Sequence, residues 1–194
     1  ATMLVQSNDL FVAPAGMGIA LFENGEAMVG DVTSSFSIWD AGTEVNETPG
    51  IGLNQAPRQA GANTGTSDSD NAVRLASDDF SNLPVVADVI QVSLSSSGAT
   101  GFTLRIENVS SSSTLMTSDG GSTAVPMAPG VYVVHSASNA LFTAGQADYG
   151  YGLVAIAEDG DPGNLSSMLS MDTGVTQLYA PGVYVVHDAA NPLF

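Results

Sequence analysis

The sequence predicts a mostly β protein: a two-sheet antiparallel sandwich, similar to a C2 domain, with a small helical insertion. Three observations predict it. Apolar residues alternate with polar ones in several segments, residue pairs that favour turns separate those segments, and a single region has helical spacing. Strands therefore outnumber helices in the expected order of elements, which favours sheet-on-sheet packing.

Two kinds of apolar pattern predict the strands. Alternation indicates half-buried strands at residues 32–38, 86–94 and 102–106. Short apolar runs bounded by Gly, Pro or Asn indicate buried strands at residues 3–5, 18–22 and 131–134. The turns between strands include Asn24-Gly25 and Gly120-Gly121, residue types that tolerate positive φ.

The helical region begins near Asp161-Pro162, an N-cap followed by a proline at the first helical position. Leu165, Met168 and Leu169 then follow the i, i+3, i+4 spacing of a helix, and Gly174 ends the pattern. Residues 152–157 are expected to add one more helical turn. The helical part of the molecule is thus predicted to be confined to residues 152–174.

Composition excludes several classes of function. The chain has 194 residues, with 20 Asp plus Glu, three Arg and no Lys, and a formal net charge of -17. Three guanidinium groups cannot neutralise a polyanion, so we expect no nucleic-acid binding. No run of 18 apolar residues is present, so we expect no membrane insertion. Hydrophobic residues make up 44% of the chain, enough to form a core, and the absence of cysteine excludes disulfides and thiolate metal sites.

Residues 40–72 contain Gly, Asn, Pro, Thr and Gln with almost no periodicity. Connections longer than about 15 residues inside a compact domain are commonly functional or mobile. We expect an ordered binding loop at one end of the sandwich.

An internal repeat is present near the C-terminal end. Residues 128–142 recur as residues 180–194, with 12 of 15 positions identical. Each copy is expected to form a strand that ends at a histidine, His135 or His187, followed by a turn and an apolar anchor. Because the histidines occupy equivalent repeat positions, a structural role is expected for them rather than a catalytic one.

Several segments resemble the spondin domain in its bacterial extracellular form. Ser7-Asn8-Asp9-Leu10-Phe11 is similar to the Ser-Pro-Asp-Trp-Phe of the animal domains, and Asp40-Ala41-Gly42-Thr43-Glu44 to their Asp-Ala-Gly-Thr-Asp. The other supporting segments are residues 1–6, 45–50, 54–59, 106–110, 128–142 and 157–162.

This resemblance implies a C2-like sandwich, extracellular adhesion and a bound calcium ion. Carried over by position, the implied Ca²⁺ ligands are Asp9, Asp40 and Glu44; the family supplies a further carboxylate ahead of the first motif. Oxygen ligands of this kind suit calcium. The alternative is that Asp9 and Asp40 only cap turns through their side chains.

The two halves of the domain stand in swapped order relative to the bacterial family. Residues 1–99 resemble the C-terminal half and residues 100–194 the N-terminal half. Three arrangements are open: the halves pair within one molecule, each half is completed by a neighbouring subunit, or the chain belongs to a longer array. The exposed strand edges of a half-domain would be covered by the other half or by another chain. From the swapped order we predict a homo-oligomer or homopolymer built by strand complementation.

Other acidic groups are given simpler interpretations. Asp161 is expected to cap a helix while Glu158 and Asp159 are solvated, and Asp68 and Asp70 are expected at a polar loop tip. Trp39 is expected to pack in the core or at its rim. Since no Gly-x-Ser-x-Gly motif is present and spacing places no third residue to orient a histidine, we predict that the protein is not an enzyme.

The predicted function is that of an extracellular, calcium-stabilised structural or adhesive protein, the repeating subunit of a surface filament or matrix. The alternative is a carbohydrate- or glycan-binding module that uses the 40–72 loop. Surface glycans or matrix proteins are the corresponding partners.

Overall fold

The computed structural model describes residues 1–16, 18–98, 100–136, 138–173 and 183–186. The described elements, in chain order, are strands β1 (Thr2–Leu4), β2 (Leu10–Pro14), β3 (Phe22–Glu23), β4 (Glu26–Ala27), β5 (Gly30–Asp31), β6 (Phe36–Asp40) and β7 (Arg74–Leu75), helix α1 (Val86–Val89), strands β8 (Ile90–Ser97), β9 (Gly101–Asn108), β10 (Leu115–Met116), β11 (Ser122–Thr123) and β12 (Met127–Gly130), helices α2 (Leu153–Asp159) and α3 (Gly163–Thr173), and strand β13 (Val183–Val186). Short 3₁₀ turns lie at Thr33–Ser35 and Ala76–Asp78. The chain is mostly β, as predicted, and its strand pairs are antiparallel.

The larger sheet has five strands in the order β12-β1-β2-β6-β7. Its centre is the β2–β6 pair, in which Leu10 lies opposite Asp40 and Phe11 opposite Trp39. The pairing of β1 with β12 joins the beginning of the chain to residues 127–130. This sheet therefore brings together segments that are distant in sequence.

The second sheet has four strands in the order β13-β9-β8-β5. β8 and β9 form a long hairpin, from Ile90 opposite Asn108 to Ser97 opposite Gly101. Two small hairpins, β3–β4 and β10–β11, complete the described strands. The β3–β4 turn has Asn24 and Gly25 at φ 51° and 84°, the left-handed conformation predicted for that pair.

Strand β2 contributes to two separate apolar clusters because its successive side chains point to opposite faces. Leu10 and Val12 pack with residues of both larger sheets, including Val92 and Phe102. Phe11 and the other residues of the opposite face pack instead beneath the two helices α2 and α3. The central strand is thereby buried on both sides.

Four strand predictions need correction. In the strand predicted at 32–38, Thr33–Ser35 form a 3₁₀ turn and β6 begins only at Phe36. Val86 lies in the one-turn helix α1, so the strand begins only at Ile90. The run 18–22 is irregular up to its last residue, where β3 begins, and 131–134 lies outside every described strand. These are short apolar runs, for which burial alone does not specify strand geometry. The predicted faces at 90–94 and 102–106 are confirmed, since their apolar residues join one core cluster.

The helical region follows its prediction within the described residues; Gly174, the predicted end of the helix, lies outside them. Asp161 Oδ1 accepts a hydrogen bond from the Gly163 N–H at 2.8 Å, and α3 begins at that glycine. The extra turn expected at residues 152–157 is the helix α2. None of the helices in the described part of the chain has the length and apolar character needed to span a bilayer.

The two repeat copies adopt different structures where both are described. In the first copy the strand is β12, before the Val131–Val134 run, whereas the equivalent Val183–Val186 forms β13 on the edge of β9. The predicted strand ending at His135 is therefore wrong. The predicted anchor is confirmed at Phe142, which is buried against Phe11 and Trp39. His187 and the rest of the second copy lie outside the described residues.

The 40–72 segment is irregular but internally bonded. Gln55 is fully buried; its amide donates to Thr48 O at 2.8 Å and its oxygen accepts from the Gly50 N–H at 3.1 Å. Arg58 donates to Gln55 and to Gly52 O. An isolated antiparallel β-bridge between Glu44 and Ser67 links the two ends of the loop. These bonds give the segment the order that the sequence analysis expected.

A buried carboxylate cluster as the candidate functional site

Asp9 and Asp40 meet at one end of the central β2–β6 strand pair. Asp9 immediately precedes β2, and Asp40 is the last residue of β6, opposite Leu10. The Ala41 N–H donates to the Asp9 carbonyl at 3.1 Å, which continues the strand pairing by one step. Antiparallel register therefore places both acidic residues at the same edge of the sheet. Both side chains are fully buried.

The Asp9 carboxylate is held by the chain that follows β6. Its Oδ2 accepts hydrogen bonds from the N–H of Thr43 at 3.0 Å and from the N–H of Glu44 at 3.1 Å. The loop is able to turn here because Gly42 has a φ of 70°, and a Cβ on Gly42 would collide with the backbone of Ala72. The loop conformation thus supplies two donors to one oxygen of Asp9.

Asp40 is flanked by a donor and a cation. Its Oδ1 accepts from the Gly42 N–H at 2.5 Å, and Arg74 Nη2 lies 2.9 Å from its Oδ2. That Arg74 contact is an ion pair without an aligned hydrogen bond, because Asp40 Oδ2 has no hydrogen-bond donor in the described structure. Arg74 also pairs with Asp68 and Asp79. Its positive charge is therefore shared among three carboxylates.

Glu44 lies beside the other two predicted ligands but is turned toward the 40–72 loop. It is 3% exposed, and its Oε1 accepts a hydrogen bond from the Gly65 N–H at 2.8 Å. A side chain at Gly65 would collide with the Glu44 carboxylate. The three predicted residues are thus brought to one rim, with Glu44 on the loop side.

Glu158 is a fourth buried carboxylate, and the expectation that it is solvated is wrong. It lies near the end of α2, is 3% exposed, and accepts a hydrogen bond from Thr43 Oγ1 at 2.6 Å. Its burial follows from the packing of α2 against the five-stranded sheet, a non-local contact that the local spacing of acidic residues does not reveal. Thr43 links the Glu158 and Asp9 carboxylates, because its backbone N–H also donates to Asp9.

Burial makes ionisation of these carboxylates unfavourable. Desolvation and the negative charge of Asp40 raise the pKa of Asp9 to about 7, although the two backbone donors oppose the shift. Desolvation also raises the pKa of Asp40, against the Gly42 N–H and the Arg74 charge. The pKa values of Glu44 and Glu158 are raised as well, chiefly by desolvation. The rim therefore favours either protonation or a counter-charge.

Three buried oxygens of this rim have no hydrogen-bond donor among the described residues: Asp9 Oδ1, Asp40 Oδ2 and Asn46 Oδ1. The Asn46 side chain lies close enough to Asp40 to favour its ionised form, and the charge of Asp40 acts directly on Asp9. Unsatisfied buried acceptors are rare in proteins and call for an explanation such as an ion. Hard, anionic and amide oxygens of this kind fit calcium by their chemistry.

The carboxylates of the rim do not by themselves form a calcium site. No three Asp, Glu or His side chains in the described ranges are grouped so that they could hold one metal ion. An ion at this rim would need amide or carbonyl oxygens in addition to carboxylates, as calcium commonly accepts. Asn46 supplies such an oxygen, and the sequence analysis missed it because an asparagine in a Gly- and Asn-rich loop has no distinctive pattern.

The remaining predicted residues have structural surroundings. Trp39 is 5% exposed and donates from Nε1 to Ala13 O at 3.2 Å, as expected for a core residue. Asp68 is drawn into the Arg74 ion pairs, whereas Asp70 is exposed at the loop tip. Asp159 Oδ1 accepts from Gln59 Nε2 at 3.0 Å, so it also binds the 40–72 loop.

Comparison with known proteins gives no match to any family model, curated protein or solved structure. The resemblance to the spondin domain therefore stays a prediction from the residues.

Proposed function

We propose that this chain is a non-catalytic, extracellular structural or adhesive protein whose β framework is stabilised by calcium at the rim formed by Asp9, Asp40 and Asn46. In this proposal the two larger sheets are the layers of a sandwich, and Glu44 assists from the loop side. The shared apolar cluster between the sheets supports the sandwich, because Leu10 and Val12 of one sheet contact the cluster that Val92 and Phe102 of the other complete.

One observation carries the calcium proposal. Asp9 Oδ1, Asp40 Oδ2 and Asn46 Oδ1 are buried acceptors without donors, in a region whose carboxylates resist ionisation. A divalent cation would satisfy these oxygens and remove the mutual repulsion of the two aspartates. Arg74 supplies only part of that charge, since it also pairs with Asp68 and Asp79.

The first prediction is that calcium raises the melting temperature. An ion that binds only the folded state adds about 2.7 kcal/mol of stability at a hundredfold excess over its dissociation constant. For a chain of this size that corresponds to an increase of about 5–10 °C. Thermal unfolding of the wild-type chain, measured by calorimetry in chelator and in millimolar calcium, checks it.

Variants at the rim test whether calcium raises the melting temperature by binding there. Asp40→Ala and Asn46→Ala should each abolish or strongly reduce the calcium-dependent increase, whereas Asp119→Asn, in the exposed β10–β11 turn, should keep it. Asn46→Ala keeps the test decisive if Asp40→Ala impairs folding, since it removes a neutral group and leaves the Asp40–Arg74 ion pair intact. Identical melting of the wild type in chelator and in calcium contradicts the proposal.

The structural role is proposed to include self-assembly, with the chain as a repeating subunit. Support comes from the position of β13, a short strand at the edge of the four-stranded sheet, whose sequence occurs a second time in the chain. An edge strand of this kind is able to be supplied by another molecule, because its affinity comes from main-chain hydrogen bonds.

A further inference from the structure

A cavity of about 270 Å³ lies between the tip of the 40–72 loop and helix α2. Asn63 forms its loop side, Asp148 and the glycines that follow form a second wall, and the α2 residues Val154, Ala155 and Glu158 form the third. The volume is slightly below the roughly 300–1,000 Å³ of pockets that hold drug-sized ligands. A single side chain or a similarly small group matches this size.

One carboxylate oxygen in this cavity is buried without a hydrogen-bond donor. Asp148 Oδ2 accepts from the Gly150 N–H at 2.9 Å, whereas Asp148 Oδ1 is buried and has no donor among the described residues. Glu158, the second carboxylate of the wall, is 3% exposed, and its Oε1 accepts from Thr43. Because an unsatisfied buried acceptor is costly, Asp148 Oδ1 indicates a donor that comes from outside the chain.

The cavity has no positive charge of its own. Asp159 is a third acidic residue in its wall, and the lining contains no Arg or His. The three arginines of the chain are engaged elsewhere: Arg58 with Gln6 and Gln55, Arg74 with its three aspartates, and Arg105 with Glu107. The counter-charge for this cavity must therefore be supplied by a ligand.

Two half-exposed tyrosines lie next to the cavity. Tyr149 and Tyr151 flank Gly150, which lines it, and their ring centroids are 6.0 Å apart. Tyr149 Oη is fixed by contacts with Thr143 Oγ1 at 2.6 Å and Asn139 O at 3.0 Å. Aromatic faces attract cations, and the apolar side chains of Val154 and Ala155 suit an alkyl stem.

We propose that this cavity binds a cationic side chain, the ammonium of a lysine or the guanidinium of an arginine, on a partner protein. The head group would donate to Glu158 and Asp148 while the stem contacts the α2 side chains. This inference goes beyond the proposed calcium-dependent role and does not depend on it.

The test is a titration followed by NMR of the backbone amides of Gly150, Gly152 and the tyrosines between and beside them. The probes are Nα-acetyl-lysine methylamide, the corresponding arginine derivative, and the lysine derivative acetylated at Nε, which is neutral. We expect the two cationic probes to shift these amides saturably and the neutral probe to leave them unchanged. The titration is run in saturating calcium and again in chelator, so the outcome does not depend on the rim at Asp40.

Variants assign the binding to the cavity. Asp148→Asn and Glu158→Gln should each weaken binding about fivefold or more, the loss expected for one charge-assisted contact. Glu26→Gln, which removes the same charge from the exposed β3–β4 hairpin, should bind as the wild type does. Asp148→Asn keeps the test decisive if Glu158→Gln disturbs folding, since Asp148 is only half-buried.

Three results overturn the proposal: equal binding of the neutral and cationic lysine probes, unchanged affinity in Asp148→Asn, or the absence of shifts at these amides. Shifts produced there by N-acetylglucosamine and not by the cationic probes would likewise overturn it, in favour of the glycan-binding module predicted for the 40–72 loop.

Discussion

At the scale of single residues, the energetics of the rim depend on how the Asp9 carboxylate is solvated. In the folded chain, two backbone N–H groups donate to Oδ2 in place of water, whereas Oδ1 has no hydrogen-bond donor. Because one oxygen has no donor and Asp40 is close, the ionised form of Asp9 is disfavoured and its pKa is raised to about 7. Proton and calcium are therefore expected to compete for the same carboxylate.

The second prediction is a pH dependence of stability in the absence of calcium. Between the ordinary Asp9 pKa of 3.8 and its folded value of about 7, the folded chain retains a proton that the unfolded chain has released. The contribution of Asp9 to stability is thus greatest below about pH 4 and falls as the pH rises to about 7, by at most ~1.4 kcal/mol per pH unit. Urea unfolding in chelator at several pH values between about 4 and 8 measures this slope.

Asp9→Asn is the control for this slope, because it keeps the shape of the side chain and cannot titrate. The raised pKa values of Asp40, Glu44 and Glu158 act in the same direction, and the buried Ala1 amine, with its pKa lowered to about 5, acts in the opposite direction. These groups are present in both proteins, so the difference between the two slopes reports the titration of Asp9 together with its effect on Asp40. Equal slopes would rule out titration of Asp9 in this range.

The sequence allowed part of this site to be predicted. Asp9 and Asp40 are indicated by the two motifs that resemble the spondin domain, whereas strand β2, which follows Asp9, is not among the predicted strands. Their meeting at one sheet edge follows once β2 and β6 pair. Asn46 and Glu158 could not be found in the same way. Their contacts depend on the course of an irregular loop and on the docking of α2, which no local period encodes.

At the scale of elements, the two-sided burial of β2 depends on the first repeat copy. Phe142, the last residue of that copy, is 7% exposed. Its ring meets Phe11 at a centroid distance of 5.3 Å and Trp39 at 4.8 Å, both edge-on. Edge-on aromatic pairs add to the free energy of apolar burial. Phe142 therefore anchors the end of the first copy to the face of the five-stranded sheet that carries Phe11 and Trp39.

The third prediction concerns this anchor. Phe142→Ala should lower the free energy of unfolding by about 3–5 kcal/mol, the usual cost of emptying a buried aromatic site. Leu53→Ala, in the loop, should change it by less than about 0.5 kcal/mol because Leu53 is 75% exposed. Chemical denaturation monitored through the fluorescence of Trp39 gives both values. Similar losses in the two variants would show that Phe142 does not anchor the segment.

The repeat also shows the limit of prediction from local sequence. Val131–Val134 and Val183–Val186 have the same residues, yet only the second forms a strand within the described chain. The first copy is instead drawn to the beginning of the chain, where Val131 N–H donates to Ala1 O at 2.9 Å. Strand formation by such a segment is decided by the edge available to it, which is a property of the whole fold.

At the scale of the whole molecule, both larger sheets combine strands from residues 1–99 with strands from residues 100–194. β1 pairs with β12 in one sheet, and β8 pairs with β9 in the other. In the four-stranded sheet, β13 lies at the edge, next to β9, with Val185 opposite Thr103. Removal of β13 would expose the main-chain groups of β9, an edge that another chain is able to pair with.

The last prediction tests strand complementation as the route to assembly. If β13 is supplied to β9 between subunits, the wild type should form species larger than a monomer that grow with concentration. Val186→Pro should shift the population to monomers, because Val186 lies opposite Phe102 with its main-chain N–H toward β9, and proline removes that donor from the strand pair. Size-exclusion chromatography with light scattering measures the mass, and electron microscopy shows any filament.

Val134→Pro is the matched control, since Val134 occupies the equivalent position of the first copy and lies outside the described strands. It should assemble as the wild type does, with any loss confined to the stability of its own segment. Near-ultraviolet circular dichroism of Trp39 shows whether the core of each variant is intact. A wild type that is monomeric at every concentration, or equal assembly by both proline variants, would show that β13 pairs with β9 of its own chain.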